Sequence, residues 1–345
     1  MSKTTTLKAS SAKLGKRVAI EEQNDQSQVN PGLPTADVSN EDRVDQQEIE
    51  TTDKQWSLVD GQYIIAVSDT FDHLAPGYYT IGFSQSIGMY FQKEDVNLDR
   101  LYRMPNEATD IIMNDISKFW KLKDTYKKYH QVFKRNYLLY SAPGTGKTSL
   151  INLMCQDLIN LYGGIVFSLS TETQIEKFPD AVRRIRKIEG DKPIIAVIED
   201  IDNFIGSEHS KSSLDTHLLN ILDGNFKMSD LVIIATTNYI ERVQARYKNR
   251  PSRFNRVIEF PLPNEESRRL YLEKTVFAED LEKINLDEWV EKTEGYTIDH
   301  IKELTQQFFI FGNSEEESFN AVGNMVNNNN RLKNKDSVGQ SKFGF

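Results

Sequence analysis

Residues 137–148 read YLLYSAPGTGKT, and their reading decides the fold. Tyr137–Ser141 is an apolar strand, Ala142–Gly146 a glycine-bearing turn, and Gly146–Leu161 carries apolar residues at helical spacing. A strand, a glycine-rich loop and then a helix is the context that makes such a loop a phosphate binder. Glycines let successive backbone N–H groups turn inward on phosphate oxygens, and the helix start adds the positive end of its dipole. Ala142, Pro143, Gly144, Thr145, Gly146, Lys147, Thr148 and Ser149 are therefore expected to hold the phosphates of a nucleotide. Lys147 is placed to reach the β- and γ-phosphates, and Thr148 to put its hydroxyl on Mg²⁺. The pattern G-x-x-x-x-G-K-T asks for glycine at position 141, where this chain has Ser141. That position is a strand end rather than the wrapping turn, so a serine is expected to be tolerated there.

Working outward, the pattern alternates. Ile165–Leu169 is a strand, Gln174–Ile188 a helix, Ile194–Glu199 a strand, Leu214–Asp223 a helix, and Leu231–Thr236 and Val257–Phe260 are strands. Continuous apolar strands separated by helices predict an α/β fold with a parallel sheet covered on both faces. Ligands of such sheets lie at the carboxyl ends of the strands. One of those ends reads Val197-Ile198-Glu199-Asp200-Ile201-Asp202. Paired acids delivered by an apolar strand suit a nucleoside triphosphatase: Glu199 for the Mg²⁺ shell, Asp200 to orient and polarise the attacking water. With Asp rather than Glu in the second place, the catalytic arm is shorter by one C–C bond, roughly 1.5 Å. A misplacement of about 1 Å can cost on the order of 100-fold in rate. The next strand end supplies Asn238, placed to hydrogen-bond the γ-phosphate or the water. Beyond it Arg250, Arg253 and Arg256 recur every third residue, and guanidinium groups suit developing phosphoryl charge.

The flanks differ in character. Residues 1–55 contain no aromatic residue, and ten acids fall between 21 and 55, which predicts a disordered tail. Residues 56–104 hold the strand-like runs Tyr63–Val67, Tyr78–Phe83 and Ile87–Phe91, a small β element ahead of the main domain of residues 105–262. Asn106–Tyr129 has helical spacing. Amphipathic stretches near 264–278, 285–293 and 297–311 predict a helical lid over 263–312. The Asn-rich end, 313–345, reads as a second disordered tail.

Composition closes off other classes. The 345 residues are 38% hydrophobic and 27% charged, with no apolar run approaching the roughly 18 residues a membrane helix needs. Cys155 is the single cysteine, and the five histidines show no metal-ligand spacing, so a disulfide framework and a metal-centred hydrolase are not expected. The net charge of −9 argues against a protein that coats nucleic acid.

Taken together, the chain over roughly 101–311 resembles the AAA family of ring-forming ATPases. Ala142–Thr148 looks like Walker A, Val197–Asp202 like Walker B, Ala235–Asn238 like sensor 1, and Arg250–Arg256 like the second region of homology. Leu218–Gly224 and Gly295–Leu304 are similar to family helices, although Tyr296 and Thr297 stand where the family has small residues. The resemblance implies a P-loop NTPase sheet of order 5-1-4-3-2, a helical lid without a sensor 2 arginine, and a homo-oligomeric ring. It also implies that Arg250 and Arg253 are fingers entering the neighbouring subunit's site. The Glu199–Asp200 order and the run Asp115–Tyr140 look most like the mitochondrial complex III assembly chaperone branch and its bacterial and phage relatives. A cytoplasmic member from a bacterial or phage-infected cell is therefore expected. In relatives an aromatic loop after the second strand grips substrate; the corresponding stretch, Thr171–Asp180, offers Phe178, which equally suits helix packing. The leading expectation is a ring that couples ATP hydrolysis to remodelling of a protein client. The alternatives are a nucleic-acid-linked loader ATPase and a slow, nucleotide-gated binding protein.

Overall fold

A computed structural model describes residues 55–59, 63–67, 70–85, 87–96, 101–205, 213–224, 226, 228–243, 247 and 250–326. Strands β1 (Gln55–Val59) and β2 (Tyr63–Val67) pair antiparallel as a sheet of their own. Seven further strands form one sheet: β3 (Gly77–Ser84), β4 (Gly88–Glu94), β5 (Lys134–Tyr140), β6 (Ile165–Ser168), β7 (Ile194–Ile198), β8 (Leu231–Thr237) and β9 (Arg256–Glu259). Helices α1 (Glu107–Trp120) and α2 (Lys123–Lys128) precede β5, and α3 (Lys147–Tyr162) follows it. Helix α4 (Glu172–Ile188) joins β6 to β7, and α5 (Ser213–Asp223) lies between β7 and β8.

The apolar strands are continuous because helices cover both of their faces. In β5, Tyr137 and Leu139 pack with Ile112, Phe119, Ile151 and Met154 of α1 and α3. Leu138, one residue out of phase, packs among the residues of α4 and α5, including Val182 and Leu218. The same alternation runs through β6, β7 and β8, so the central strands are buried at almost every position.

The sheet order is β4-β3-β6-β7-β8-β5-β9. With the P-loop strand β5 counted as strand 1, this is wider than the five-stranded 5-1-4-3-2 expectation, because β3 and β4 extend it beyond β6. Strands β3 and β4 of the N-terminal β element are therefore part of the main sheet. Gly77–Tyr79 pairs parallel with Ile165–Phe167, and Tyr79 and Ile81 are buried in the main core. Such pairing spans nearly 90 residues of chain and leaves no local signal.

Beyond β9 the chain forms α6 (Glu265–Thr275), α7 (Ala278–Leu281), α8 (Leu286–Lys292) and α9 (Ile298–Thr305), the last running into a π-helical turn, Gln306–Ile310. These helices fall where the lid is expected and pack around Leu272, Trp289, Val290, Ile301 and Leu304. The disorder expected from residue 313 is corrected over 315–326, which form helix α10. Ser314 and Glu317 cap its start reciprocally, at 2.9 Å and 3.3 Å. Phe319 meets Trp289 edge-on at 5.3 Å and Val322 is buried in the lid, so a short apolar face inside an Asn-rich stretch is enough to anchor it. The tail expected over residues 1–55 lies outside the described residues except for Gln55, and so does the stretch 327–345.

Candidate nucleotide site

The loop after β5 has the backbone its glycines predict. Gly144 has φ +78° and Gly146 φ +103°, a region that costs other residues steric strain. Lys147 opens α3 and turns back over the loop. Its Nζ donates to Ser141 Oγ at 2.7 Å, to Ala142 O at 3.2 Å and to Asn238 Oδ1 at 2.7 Å. Ser141 is thus more than tolerated: its hydroxyl also bonds Thr145 Oγ1 at 2.5 Å, tying the two ends of the turn. Burial lowers the Lys147 pKa, while the Asp200 and Glu199 carboxylates pull it back up. Thr148 and Ser149 are exposed at the mouth.

Three strand ends meet here. Asn238, just past β8, donates from Nδ2 to Asp200 Oδ1 at 3.1 Å, so Lys147, Asn238 and Asp200 form one hydrogen-bonded chain. Asp200 has φ +48°, and its N–H donates to Thr236 Oγ1 at 3.1 Å. Asp202 accepts from Thr237 Oγ1 at 2.6 Å, which fixes β7's end to β8's. Glu199 is exposed and lines the same cavity, about 230 Å³, as Lys147, Thr148, Asp200 and Asn238. The expected loop residues Pro143 to Ser149, the two acids and Asn238 are therefore brought together; Ala142 contributes through its carbonyl. Among the described residues no cluster of three or more His, Cys, Asp and Glu forms a protein-only metal cage. Thr148 and Glu199 line one cavity, and a hydroxyl with one carboxylate is the kind of donor set Mg²⁺ takes, its shell completed by phosphates and water.

A second hollow adjoins this one across Gly146 and Ser149. It is lined by Tyr102, Met104, Thr109, Leu150, Phe260, Tyr271 and Ile298, and is largely apolar. Thr109 Oγ1 is buried in it without a hydrogen-bond partner. The slot is narrow, about 60 Å³, and opens beside the phosphate loop, on the side where the base of a bound nucleotide would lie. Burial pushes the Tyr271 hydroxyl up to about 12, with Asp299 and Tyr102 adding to it. Residues 101–105 carry no periodic signal, and Asn106 after them caps α1 by accepting from Thr109 N–H at 2.8 Å.

The arginines are elsewhere. Asn136, near the start of β5, donates to Arg253 O at 2.5 Å and to Leu222 O at 3.1 Å, and its N–H is bonded by Asn255. Asn136 and Ser141 are five residues apart, about 16 Å of strand at about 3.3 Å per residue. Thus the arginine loop sits at the amino end of β5 and the phosphate loop at its carboxyl end. Arg253 makes a bidentate pair with Asp223, 2.9 Å on each arm, and its side chain is 7% exposed. The Arg253 guanidinium holds the Asp223 carboxyl below the usual range. Lys134 caps the end of α5, donating to Ile221 O and to Leu222 O. Arg250 is exposed, and Arg256 lies 3.6 Å from Asp115. The structure does not bring Arg250 or Arg253 to this chain's own phosphate cavity.

Of the two readings of Phe178, helix packing is the one the structure shows. Phe178 falls on the buried face of α4 with Ile175, Ala181, Val182 and Ile185, fully buried, its ring 6.0 Å from that of Phe167. Only residues 169–171 separate β6 from α4, so no aromatic loop emerges there.

Comparison with known proteins agrees with this geometry. The family described as ATPase family associated with various cellular activities (AAA) matches residues 137–262. The chain is 29% identical over 191 residues to a cell division cycle protein 48 homolog of Archaeoglobus fulgidus, covering 49% of this chain and 25% of that protein. It is 31% identical over 183 residues to a 26S proteasome regulatory subunit 4 homolog of Arabidopsis thaliana, covering 49% and 40%. It is 26% identical over 237 residues to a proteasome-activating nucleotidase of Methanococcus maripaludis, covering 66% and 58%. The chain thus spans between a quarter and about three-fifths of the length of these relatives.

Proposed function

We propose that the chain, whose residues 137–262 match the AAA ATPase family, hydrolyses ATP in an oligomeric ring and uses the energy to remodel a protein client. One observation carries this reading. The hydrogen-bonded chain Lys147–Asn238–Asp200 supplies phosphate binding and water activation within one subunit, while the arginines stand about 16 Å of strand away. Phosphoryl transfer needs its developing charge neutralised by more than one lysine. An exposed Arg250 facing the next subunit's site answers that need.

Each residue then has a task. The loop from Ala142 to Ser149 wraps the phosphates, Lys147 bonds the β- and γ-phosphate oxygens, and the hollow around Thr109 takes the base. Asp200 accepts a hydrogen bond from the attacking water and polarises it, and Asn238 holds Asp200 in register with the lysine. Thr148 and Glu199 would hold Mg²⁺, which supplies charge neutralisation at the phosphates. Arg250 acts in trans; Arg253, locked to Asp223, holds the loop that presents it. The short β6–α4 link supports client contact through other surfaces than an aromatic loop at that point. The Glu199–Asp200 order and the run Asp115–Tyr140 support kinship with the branch that includes the mitochondrial complex III assembly chaperone. Among the described residues no helix is long and apolar enough to cross a membrane.

Steady-state ATPase assays of the full chain and of Lys147→Ala, with and without an unfolded protein, test the reading. Turnover that Lys147→Ala abolishes and unfolded protein stimulates supports it. Turnover equal in the variant contradicts the nucleotide site, and stimulation by DNA instead of protein contradicts the client class.

A further inference from the structure

The lid contributes a side chain to the phosphate cavity, and it is an acid. Asp299 lies in the first turn of α9, set there by the capping box of Thr297 and His300. Its N–H donates to Gly144 O at 3.1 Å. A Cβ placed on Gly144 would lie 2.7 Å from Asp299 Oδ2 and 2.9 Å from its Cβ, so the carboxylate rests directly on the phosphate loop. Asp299 lines the cavity with Glu199 and Asp200, and Lys147 is the one cation among the described residues that line it. Three carboxylates thus face one ammonium in a site built for polyphosphate. Glu199 and Asp200 have tasks there; Asp299 has none in binding a phosphate, because it can only repel it.

We propose that Asp299 is a specificity-determining residue of this site, a lid carboxylate that holds back the nucleoside triphosphate relative to the diphosphate. The inference rests on the reading of the cavity as a nucleotide site. ATP carries one more negative charge than ADP, with or without Mg²⁺, so it meets the larger repulsion from a fixed carboxylate. Asp299 is exposed on its outer side, so the repulsion acts through water. At about 5 Å in a water-like dielectric, one pair of unit charges changes affinity roughly fourfold. The same repulsion acts on the lid: a triphosphate pushes α9 away from Gly144, and loss of the γ-phosphate lets it settle back.

The test is equilibrium binding of fluorescent ATP and ADP analogues, and of ATP by competition, to the wild-type chain, Asp299→Asn and Lys147→Ala. Asp299→Asn keeps the shape and removes the charge. It should tighten ATP about eightfold and ADP about twofold, leave adenosine unchanged, and lose most of the gain in 1 M KCl, where the Debye length is about 3 Å. Equal or absent effects on ATP and ADP would overturn the proposal while leaving the nucleotide site standing. So would weaker binding of ATP but not of 2′-deoxy-ATP, which would make Asp299 an acceptor for a ribose hydroxyl. If wild type and Lys147→Ala both fail to bind, the nucleotide reading fails and takes this inference with it. A thermal unfolding midpoint for Asp299→Asn within about 2 °C of wild type shows that the lid is intact.

Discussion

At the carboxyl end of β5, Lys147, Asn238 and Asp200 are joined by hydrogen bonds of 2.7 and 3.1 Å around an open cavity. At its amino end, Arg253 and Asp223 are joined by two of 2.9 Å, with side chains only 7% and 23% exposed. Both are charged networks on the same strand, and they do opposite things. The first keeps donors and an acid turned toward a space that a ligand can fill. The second has already satisfied its guanidinium, and spends its polar groups on fixing α5, β5 and the loop 250–256 to one another. A catalytic charge must stay available, so on the proposed reading the exposed Arg250 acts at a neighbour's phosphate and Arg253, paired with Asp223, is the anchor.

The sharpest way to break this contrast is to remove each arginine in turn. Arg250→Ala should lower ATP turnover by roughly 10³–10⁵, the usual worth of an arginine finger. Its ATP affinity and unfolding midpoint should stay at wild-type values, as binding titrations and thermal melts would report. A variant that loses stability along with rate would put Arg250 in the anchor's role.

Next in size, Asp223→Ala leaves a buried guanidinium without its carboxylate, a loss of about 3 kcal/mol in unfolding free energy. Chemical denaturation reads this directly. A change under about 0.5 kcal/mol would mean that the pair is not structural, and would return Arg253 to the list of fingers.

The smallest effect concerns pH. Burial lowers the Lys134 ammonium from 10.5 to about 8. Between those values the unfolded chain keeps a proton that the folded chain has given up, so this group makes stability rise with pH across that window. A neutral amine still donates to both carbonyls of α5. The difference in unfolding free energy between wild type and Lys134→Met should therefore grow in wild type's favour from pH 8 to pH 10. A flat difference would show that Lys134 titrates normally.

How much of this was legible beforehand depends on the distance over which each feature is encoded. The phosphate loop lies within twelve consecutive residues, and its strand and helix flanks have their own periods, so loop, acids and Asn238 were all readable. The lid helices were readable for the same reason. Phe178 was readable as one of two alternatives: its spacing from Ile175, Ala181 and Val182 is that of a buried helical face. What was not legible comes from pairings far apart in sequence. Arg253 meets Asp223 across 30 residues, β3 meets β6 across nearly 90, and Asp299 meets Gly144 across more than 150. None of these leaves a periodic trace. Composition misled once, at residues 315–326, where asparagines surround the few apolar groups that dock on Trp289.

The central claim is that two subunits build each working site, and mixing two inactive variants tests it most directly. Asp200→Asn lacks the water-orienting acid but keeps Arg250; Arg250→Ala lacks the arginine but keeps Asp200. Each alone should bind ATP and turn it over at a small fraction of the wild-type rate. In equal mixture, with subunit exchange shown by labelled chains, about a quarter of the interfaces of a head-to-tail ring join an intact Asp200 to an intact Arg250. Turnover should return to about that fraction of wild type. Activity that stays at the sum of the two variants, in oligomers shown to be mixed, would contradict a site shared between neighbours.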